Sequence, residues 1–147
     1  MSELICSLEL PATLHTLFEV TDRCLGAEPV FLRYSHGPGT DAHDGPSRDY
    51  EAQVTMSGLS VTTMRPEPWW PRPALEWVAR RLCKYADLGA EQGRFPWLLT
   101  GRVVGAGPDH EPLVTAVHPL ATIDRRAVTE ARRLYHERFH VGRDSTQ

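Results

Sequence analysis

The chain has 147 residues, and 41% of them are hydrophobic. A chain of this length suits a single domain that buries about two thirds of the surface its unfolded form exposes, so it needs no metal or disulfide to fold. Its formal net charge of -3 leaves no basic surplus to neutralise a run of phosphates, which argues against nucleic acid as the main partner.

The cysteines do not predict a disulfide framework. Cys6, Cys24 and Cys83 are far apart, odd in number and include no CxxC pair, as expected for reduced thiols. The first ten residues carry no basic region, and no run approaches the ~18 apolar residues of a membrane span. We therefore expect a cytoplasmic protein with no membrane partner.

Two regular elements are predicted before residue 35. Residues 13–24 place apolar side chains at helical spacing, with Thr13 as the N-cap. Residues 29–34, PVFLRY, are rich in strand-forming types, and alternation places Val30 and Leu32 on one face. We expect a short amphipathic helix followed by a first strand.

A long loop is predicted over residues 35–49, which read SHGPGTDAHDGPSRD. Three glycines, two prolines and several short polar residues rule out a helix and leave no apolar period. A loop of this length is uncommon inside a compact domain and is usually mobile or functional. This segment is therefore the first candidate site.

The longest helical pattern follows a proline-rich elbow that carries Trp69 and Trp70. Proline is tolerated in a first helical turn, which suits Pro73, and Gly89 is the predicted stop. The pattern predicts the central packing helix. Its apolar stripe consists of Leu75, Val78, Ala79, Leu82, Cys83 and Ala86.

Strand patterns occur on both sides of this helix. Residues 50–64 predict a hairpin or two short edge strands. Residues 96–104, PWLLTGRVV, predict a strand in which Trp97, Leu99 and Val103 share a face if Gly101 marks a bulge. A tight loop at 105–112 precedes a further strand over 113–123.

A last helix is predicted after Asp124, which can act as its N-cap. Its buried stripe consists of Val128, Ala131, Leu134 and Tyr135. Because helices and strands do not alternate strictly, we expect an α+β fold. The prediction is a single domain over residues 1–141, with a mostly antiparallel sheet packed by two or three helices, and a disordered tail over 142–147.

Two polar clusters are candidates for chemistry. The predicted loop contains His36, Asp41, His43, Asp44, Arg48 and Asp49, beside Arg33 and Tyr34. A carboxylate can orient a histidine as a general base, whereas the alternative is a solvated, flexible loop. A metal site formed by His36, His43 and a carboxylate matches none of the usual zinc spacings.

The second cluster is Asp109-His110-Glu111, on a glycine-braced turn between two predicted strands. Glycines let the backbone approach a ligand closely, although a plain polar turn is an equal alternative. Trp69 and Trp70 can form a stacking platform for a planar or apolar ligand, whereas packing against the sheet is the alternative role.

Several blocks of sequence occur in one order: LRYSHGP, SRDY, GLSVTT, EPWWPRPALEWVARRL and GAGPDHEPLV. Over Val30–Ile123 the chain resembles a family of short uncharacterised proteins common in actinomycetes. The resemblance implies an actinomycete origin but no activity, since none is assigned to that family. Its members usually carry Arg in place of His36 and Asn in place of His110, which implies two additional titratable groups here.

A weaker similarity connects Arg33, Ser60 and Glu111 to the ADP-ribosyltransferase fold. That fold combines an Arg or His on an early strand, a Ser-Thr-Ser strand and a late Glu, and these residues occur in that order. The chain departs from the pattern because the strand reads Ser-Val-Thr and the usual acidic or Gln pair before the late strand is not reproduced.

The favoured hypothesis is a cofactor-independent enzyme of the lyase or cyclase type that acts on a small-molecule substrate in secondary-metabolite biosynthesis. It would use acid/base chemistry for dehydration, conjugate addition or cyclisation. His36 or His110 would remove a proton, and Asp109 or Glu111 would orient the base or donate. The residues expected to bind substrate are Arg33, Tyr34, Ser60, Trp69 and Trp70.

Two other hypotheses remain open. One is transfer or hydrolysis at the nicotinamide bond of NAD, with Arg33 binding phosphate and Glu111 stabilising the ribosyl cation. The other is a non-catalytic module in which the loop and tryptophans bind a ligand or a protein. A homodimer is compatible with each.

Overall fold

A computed structural model describes residues 3–139 and shows a single compact α+β domain, as predicted. The strands span Thr13–Leu14 (β1), Phe31–Ser35 (β2), Arg48–Asp49 (β3), Val54–Thr55 (β4), Leu59–Ser60 (β5), Thr62–Thr63 (β6), Phe95–Ala106 (β7) and Pro112–Ile123 (β8). The helices span Leu17–Cys24 (α1), Pro38–Asp44 (α2), Ala74–Lys84 (α3), Ala86–Glu91 (α4) and Arg125–Phe139 (α5).

The main sheet is curled and mostly antiparallel. Its order is β1-β8-β7-β2-β6, and β5 pairs with a different part of β8. Only Val61 separates β5 from β6, so one short segment pairs with β8 through Leu59 and with β2 through Thr63. We call it the crossing segment. It connects β8 to β2 across the curled sheet, so one face of the sheet is enclosed.

Two hydrophobic clusters occupy opposite faces of the sheet. Val30 and Leu32 pack with α1, α3 and α5, whereas Phe31 lies in the second cluster, which confirms the predicted alternation along β2. The enclosed cluster consists of Ile5, Phe31, Leu59, Val61, Trp97, Leu99, Val114 and Val117. Burying both faces gives the domain a core on either side of the strands.

The first helix begins later than the sequence pattern predicts. Thr16, not Thr13, is the N-cap: its Oγ1 accepts from the Glu19 backbone N–H at 3.1 Å, and the Glu19 carboxylate accepts from the Thr16 N–H at 3.0 Å. Residues 13–14 instead pair in parallel with residues 122–123 of β8. The capping box therefore sets the start of the helix at Thr16, although the helical spacing of apolar residues begins at Thr13.

The prediction that residues 35–49 form a loop without a helix is wrong. Gly37, with φ of 105°, turns the chain and Pro38 opens the seven-residue helix α2. Asp41 on α2 is buried and bonds to Arg33 and Ser35 on β2. Tertiary contacts therefore stabilise a helix whose residues have low helical propensity.

The central helix is interrupted near its predicted end. The stripe from Leu75 to Cys83 packs as predicted, but α3 ends at Lys84, and Ala86 lies in α4. The hydroxyl of Tyr34 donates to the Leu82 carbonyl at 2.7 Å. Gly89 lies within α4 and does not end a helix as predicted. Its role is steric, because a side chain at this position would clash with the Tyr34 ring. The chain leaves α4 before Gly93, which has φ of 70°.

The β7–β8 hairpin has a register shift around Gly101, as predicted. Val103 does not share the buried face of Trp97 and Leu99, since 55% of its surface is exposed. No hairpin forms within residues 50–64, because β4 pairs with β3, which precedes this range, while β5 pairs with β8 and β6 with β2. The alternative prediction of short edge strands is met in part, since β6 is an edge strand of the main sheet.

The last helix follows Asp124 as predicted. Hydrogen bonds from His15 and from the first backbone N–H groups of α5 lower the pKa of the Asp124 carboxyl. Ala127 and Ala131 are its fully buried residues. The predicted tail lies outside the described residues. Within residues 3–139, every helix is too short or too polar to cross a membrane.

Gly58 is expected to tolerate no side chain, because a Cβ there would lie 2.5 Å from the Val114 carbonyl oxygen on β8. Gly58→Ala should lower the free energy of unfolding by about 1–3 kcal/mol, measured by urea denaturation. Gly26→Ala is the matched control, since no heavy atom lies within 4 Å of its Cβ position. Its effect should stay within about 0.5 kcal/mol, and equal losses in both variants would contradict the close packing.

Candidate functional site

A pocket of about 990 Å³ opens at one end of the curled sheet, where β2 and the crossing segment meet α2, α4 and the 107–111 turn. We call it the sheet pocket. Six of the nine residues that the sequence assigns to a site line it: Arg33, Tyr34, His36, Ser60, Asp109 and Glu111. His110, Trp69 and Trp70 do not line it.

A buried polar network forms the inner wall of the sheet pocket. Arg33 donates from Nε to Asp41 Oδ2 at 2.8 Å and from Nη2 to Oδ1 at 3.1 Å, a bidentate pair. Its Nη1 donates to the Ser60 carbonyl at 2.8 Å. Ser35 Oγ donates to Asp41 and accepts from the Trp97 indole at 2.9 Å. Each charge in this wall is therefore compensated by a partner.

Glu111 is oriented by hydrogen bonds from two directions. Its Oε2 accepts from Ser60 Oγ at 2.9 Å, and its Oε1 accepts from the Asp109 backbone N–H at 3.0 Å. The side chain lies directly against Gly107, where any Cβ would overlap the carboxylate. The turn is closed by a backbone bond from Gly107 N–H to the Glu111 carbonyl at 2.8 Å. Glycine at 107 thus lets the carboxylate fold back toward β5.

His36 lines the pocket from the segment before α2. Its Nε2 lies 3.0 Å from the carbonyl oxygen of Gln92 at the end of α4. Because a carbonyl can only accept, Nε2 carries the proton, and in the neutral ring Nδ1 is left as an acceptor. His43 points elsewhere, since it is exposed and contacts the exposed Asp44 at 3.2 Å.

The hydroxyl of Tyr34 already has a protein acceptor. It donates to the Leu82 carbonyl, and burial raises the pKa of its phenol. The guanidinium of Arg33 is likewise engaged by Asp41 and Ser60. These two residues shape the pocket wall, whereas the sequence prediction has them binding a substrate carbonyl.

His110 is exposed and lies on the outside of the 107–111 turn. Its φ of 64° allows the backbone to reverse between β7 and β8. Its neighbours Asp109 and Glu111 reach the sheet pocket, so the turn separates the three consecutive residues that the sequence groups together.

Trp69 and Trp70 belong to a different region. With Trp77 on α3 they form edge-to-face pairs whose ring centroids are 5.2–6.0 Å apart. A separate cavity of about 420 Å³ opens beside them, and we call it the tryptophan cavity. Its main lining residues are Trp69, Trp77, Arg80, Arg81, Lys84 and Tyr135.

The cysteines offer no thiolate nucleophile near the sheet pocket. Burial raises the pKa of the Cys24 thiol to about 12 and that of the Cys83 thiol to about 11. Cys6 is exposed and lies outside the lining. Among residues 3–139, no three His, Cys, Asp or Glu side chains are grouped so as to bind a metal ion.

Sequence reasoning missed three contributors to the pocket. The sequence predicts Asp41 as a loop carboxylate that can orient a histidine, whereas in the structure it neutralises Arg33. Gln92 orients His36, and Arg94 lines the opening. No local pattern identifies Gln92 or Arg94, because α4 and the turn at Gly93 that follows it place them at the pocket.

The chain belongs to a family of unknown function, DUF6098. The family model matches residues 8–146, nearly the whole sequence. No curated protein and no solved structure matches the chain. The function must therefore be argued from the geometry of the pocket.

Asp41→Ala should lower the free energy of unfolding by about 3 kcal/mol, because it leaves the mostly buried Arg33 guanidinium without its carboxylate. Asp44→Ala is the matched control on the same helix, since Asp44 is exposed and pairs only with the exposed His43. Its effect should stay within about 0.5 kcal/mol in the same urea titration. A loss for Asp41→Ala no larger than for the control would contradict the structural role of the ion pair.

Proposed function

We propose that the sheet pocket is the active site of a cofactor-independent acid/base enzyme acting on a small molecule. The observation that supports it is the pair of hydrogen bonds that orient Glu111, from Ser60 Oγ and the Asp109 N–H, in a pocket that also contains His36. The reaction class is a dehydration, conjugate addition or cyclisation, in which one proton is removed and another is delivered.

Glu111 is the proposed general base. Each of its oxygens accepts one protein hydrogen bond, so a further lone pair on each oxygen is available to a substrate proton. The two donors fix the direction of the carboxylate before substrate arrives. A preoriented base of this kind loses little conformational freedom in the transition state.

His36 is the proposed proton partner. Its Nε2–H is engaged by the Gln92 carbonyl, which leaves Nδ1 to exchange a proton with substrate. Nδ1 can donate a proton only when the ring is protonated, so the proposed delivery step starts from the imidazolium form. Glu111 would accept the proton that is removed, and His36 would deliver the other. Biosynthesis of a secondary metabolite is the proposed setting, in keeping with a single flexible substrate.

The charge of the pocket favours a neutral or cationic substrate. Arg33 and Asp41 neutralise each other, and the remaining lining has two guanidinium groups and four carboxylates. This excess of carboxylates repels a polyanion. The remaining charged lining residues are Asp44, Arg48, Asp49, Arg94, Asp109 and Glu111.

Cleavage of the nicotinamide bond of NAD is a second candidate. Arg33, Ser60 and Glu111 are linked in one chain of hydrogen bonds: Arg33 Nη1 donates to the Ser60 carbonyl, and Ser60 Oγ donates to Glu111. Arg33, however, already directs three of its five N–H groups to Asp41 and Ser60, and Asp41 neutralises its charge. The acidic lining also repels the NAD diphosphate. We therefore rank it below acid/base catalysis.

Glu111→Gln should slow conversion of the substrate by about 10²–10⁴-fold, because the amide cannot accept the proton. Incubating a cell extract of the encoding organism with active or heat-killed protein, followed by untargeted mass spectrometry, identifies the metabolite that is converted. The rate is then compared among variants. His110→Ala is the matched control, because it is adjacent in sequence but outside the pocket, and its rate should equal that of the wild type.

Gly107→Ala tests the same site without altering a charged group. Its Cβ would displace the Glu111 carboxylate, so the rate should fall although both proposed catalytic residues are present. If Glu111→Gln and His110→Ala were equally active, Glu111 would not be the base. A metabolite that binds to the protein but is not converted would indicate a binding module.

With NAD as the only substrate, we expect no nicotinamide release that depends on Glu111, because the pocket repels the diphosphate. Chromatographic detection of free nicotinamide, with wild type and Glu111→Gln compared side by side, checks this. Release by the wild type at ten or more times the rate of the variant would select the second candidate instead.

A further inference from the structure

We propose that the tryptophan cavity is a second ligand site and that it binds a small planar aromatic anion. The cavity lies between the proline-rich elbow, α3 and α5, and its volume of about 420 Å³ is within the range of small-molecule pockets. It shares no lining residue with the sheet pocket. The inference therefore does not depend on the function proposed for Glu111.

Trp69 provides a stacking surface that is already oriented. Although 68% of its surface is exposed, its ring is packed edge-to-face against Trp70 at 6.0 Å and Trp77 at 5.9 Å. Aromatic neighbours of this kind restrict the ring before a ligand arrives, so stacking loses little side-chain entropy. A planar ring is the ligand group that matches an exposed tryptophan face.

The charge of the cavity selects an anion. Arg80, Arg81 and Lys84 line it from α3, and its lining contains no carboxylate. Arg81 is half-buried, with its guanidinium 4.5 Å from the Trp77 ring centroid, and among residues 3–139 it forms no ion pair with a carboxylate. A ligand carboxylate or phosphate would supply the missing counter-charge.

The titration of Arg81 agrees with this geometry. Burial and the adjacent Arg80 lower the pKa of its guanidinium, and Tyr85 and the exposed Glu67 oppose the shift. Repulsion between neighbouring cations is relieved when an anion binds between them.

Trp77 adds an independent observation. It lines the cavity, and its Nε1–H is buried without an acceptor within the described part of the chain. Buried donors normally have a partner, and a ligand oxygen that reached this N–H would supply one. Ring stacking, cationic side chains and an unpaired donor occur together in this cavity.

A long nucleic acid is a poor fit. Three cations can neutralise only about three phosphates, and the chain as a whole carries a net charge of -3, so the electrostatic attraction for a polyanion is small. The fitting ligand is one aromatic ring system with one anionic group. That group is a carboxylate, as in an aromatic acid, or a phosphate, as in a nucleoside monophosphate.

Isothermal titration calorimetry at physiological ionic strength tests the site with 2-naphthoate, its uncharged amide 2-naphthamide, and AMP. We expect 2-naphthoate or AMP to bind and 2-naphthamide to bind at least tenfold more weakly. The stronger of the two anions identifies the ligand as carboxylate or phosphate. Binding of neither anion, or equal binding of naphthoate and naphthamide, would overturn the proposal.

Variants of the full chain locate the site. Trp69→Ala and Arg81→Gln should each weaken binding by about tenfold. Arg133→Gln is the matched control, since it removes one exposed charge from α5 outside the cavity and should leave affinity unchanged. Wild-type affinity in both cavity variants, with cooperative unfolding retained, would place the ligand elsewhere.

A second readout separates this site from the sheet pocket. In an NMR titration, the Trp77 indole N–H signal should shift with ligand in the wild type and equally in Glu111→Gln. A shift of the Trp97 indole signal without one at Trp77 would overturn the assignment, because Trp97 bonds to Ser35 inside the curled sheet.

Discussion

One guanidinium group, that of Arg33, connects three segments of the chain. It donates twice to Asp41 on α2 and once to the Ser60 carbonyl on the crossing segment. A charge with this little water around it is stable only when it has such partners. The pairing fixes α2 over the end of the sheet and fixes the crossing segment between β8 and β2. Because Ser60 also bonds to Glu111, the same group indirectly positions the proposed base.

The elements that could be predicted are those whose signal is local. The stripe of α3, the bulge at Gly101 and the capped start of α5 follow from spacing within one element. The elements that were missed depend on distant partners. Helix α2 is stabilised by an ion pair to Arg33, and β1 exists because residues 13–14 pair with the end of β8. Local propensity predicts neither the ion pair nor the strand pairing, because both depend on tertiary contacts.

The candidate site likewise combines residues that local sequence identifies with residues whose position depends on tertiary contacts. The sequence identified His36, Asp109 and Glu111 as polar residues on turns, and the fold brings them into one pocket. It could not separate His110 from its neighbours, because a left-handed backbone at that residue decides which side chains face inward. Trp69 and Trp70 lie outside the sheet pocket because the elbow packs against α3 and α5. The sequence does not predict this position, since α5 is distant from the elbow along the chain.

The order of strands in the sheet affects how the chain folds as it leaves the ribosome. β1 pairs with β8, and β2 pairs along its whole length with β7, so these early strands lack their main partners until β7 and β8 have been synthesised. Before then, β2 can pair only with the two residues of β6. The β7–β8 hairpin can form as soon as it emerges, and it then offers an edge to each early strand. Until that moment one edge of β2 has no partner strand, and its apolar residues are available to a chaperone on the nascent chain.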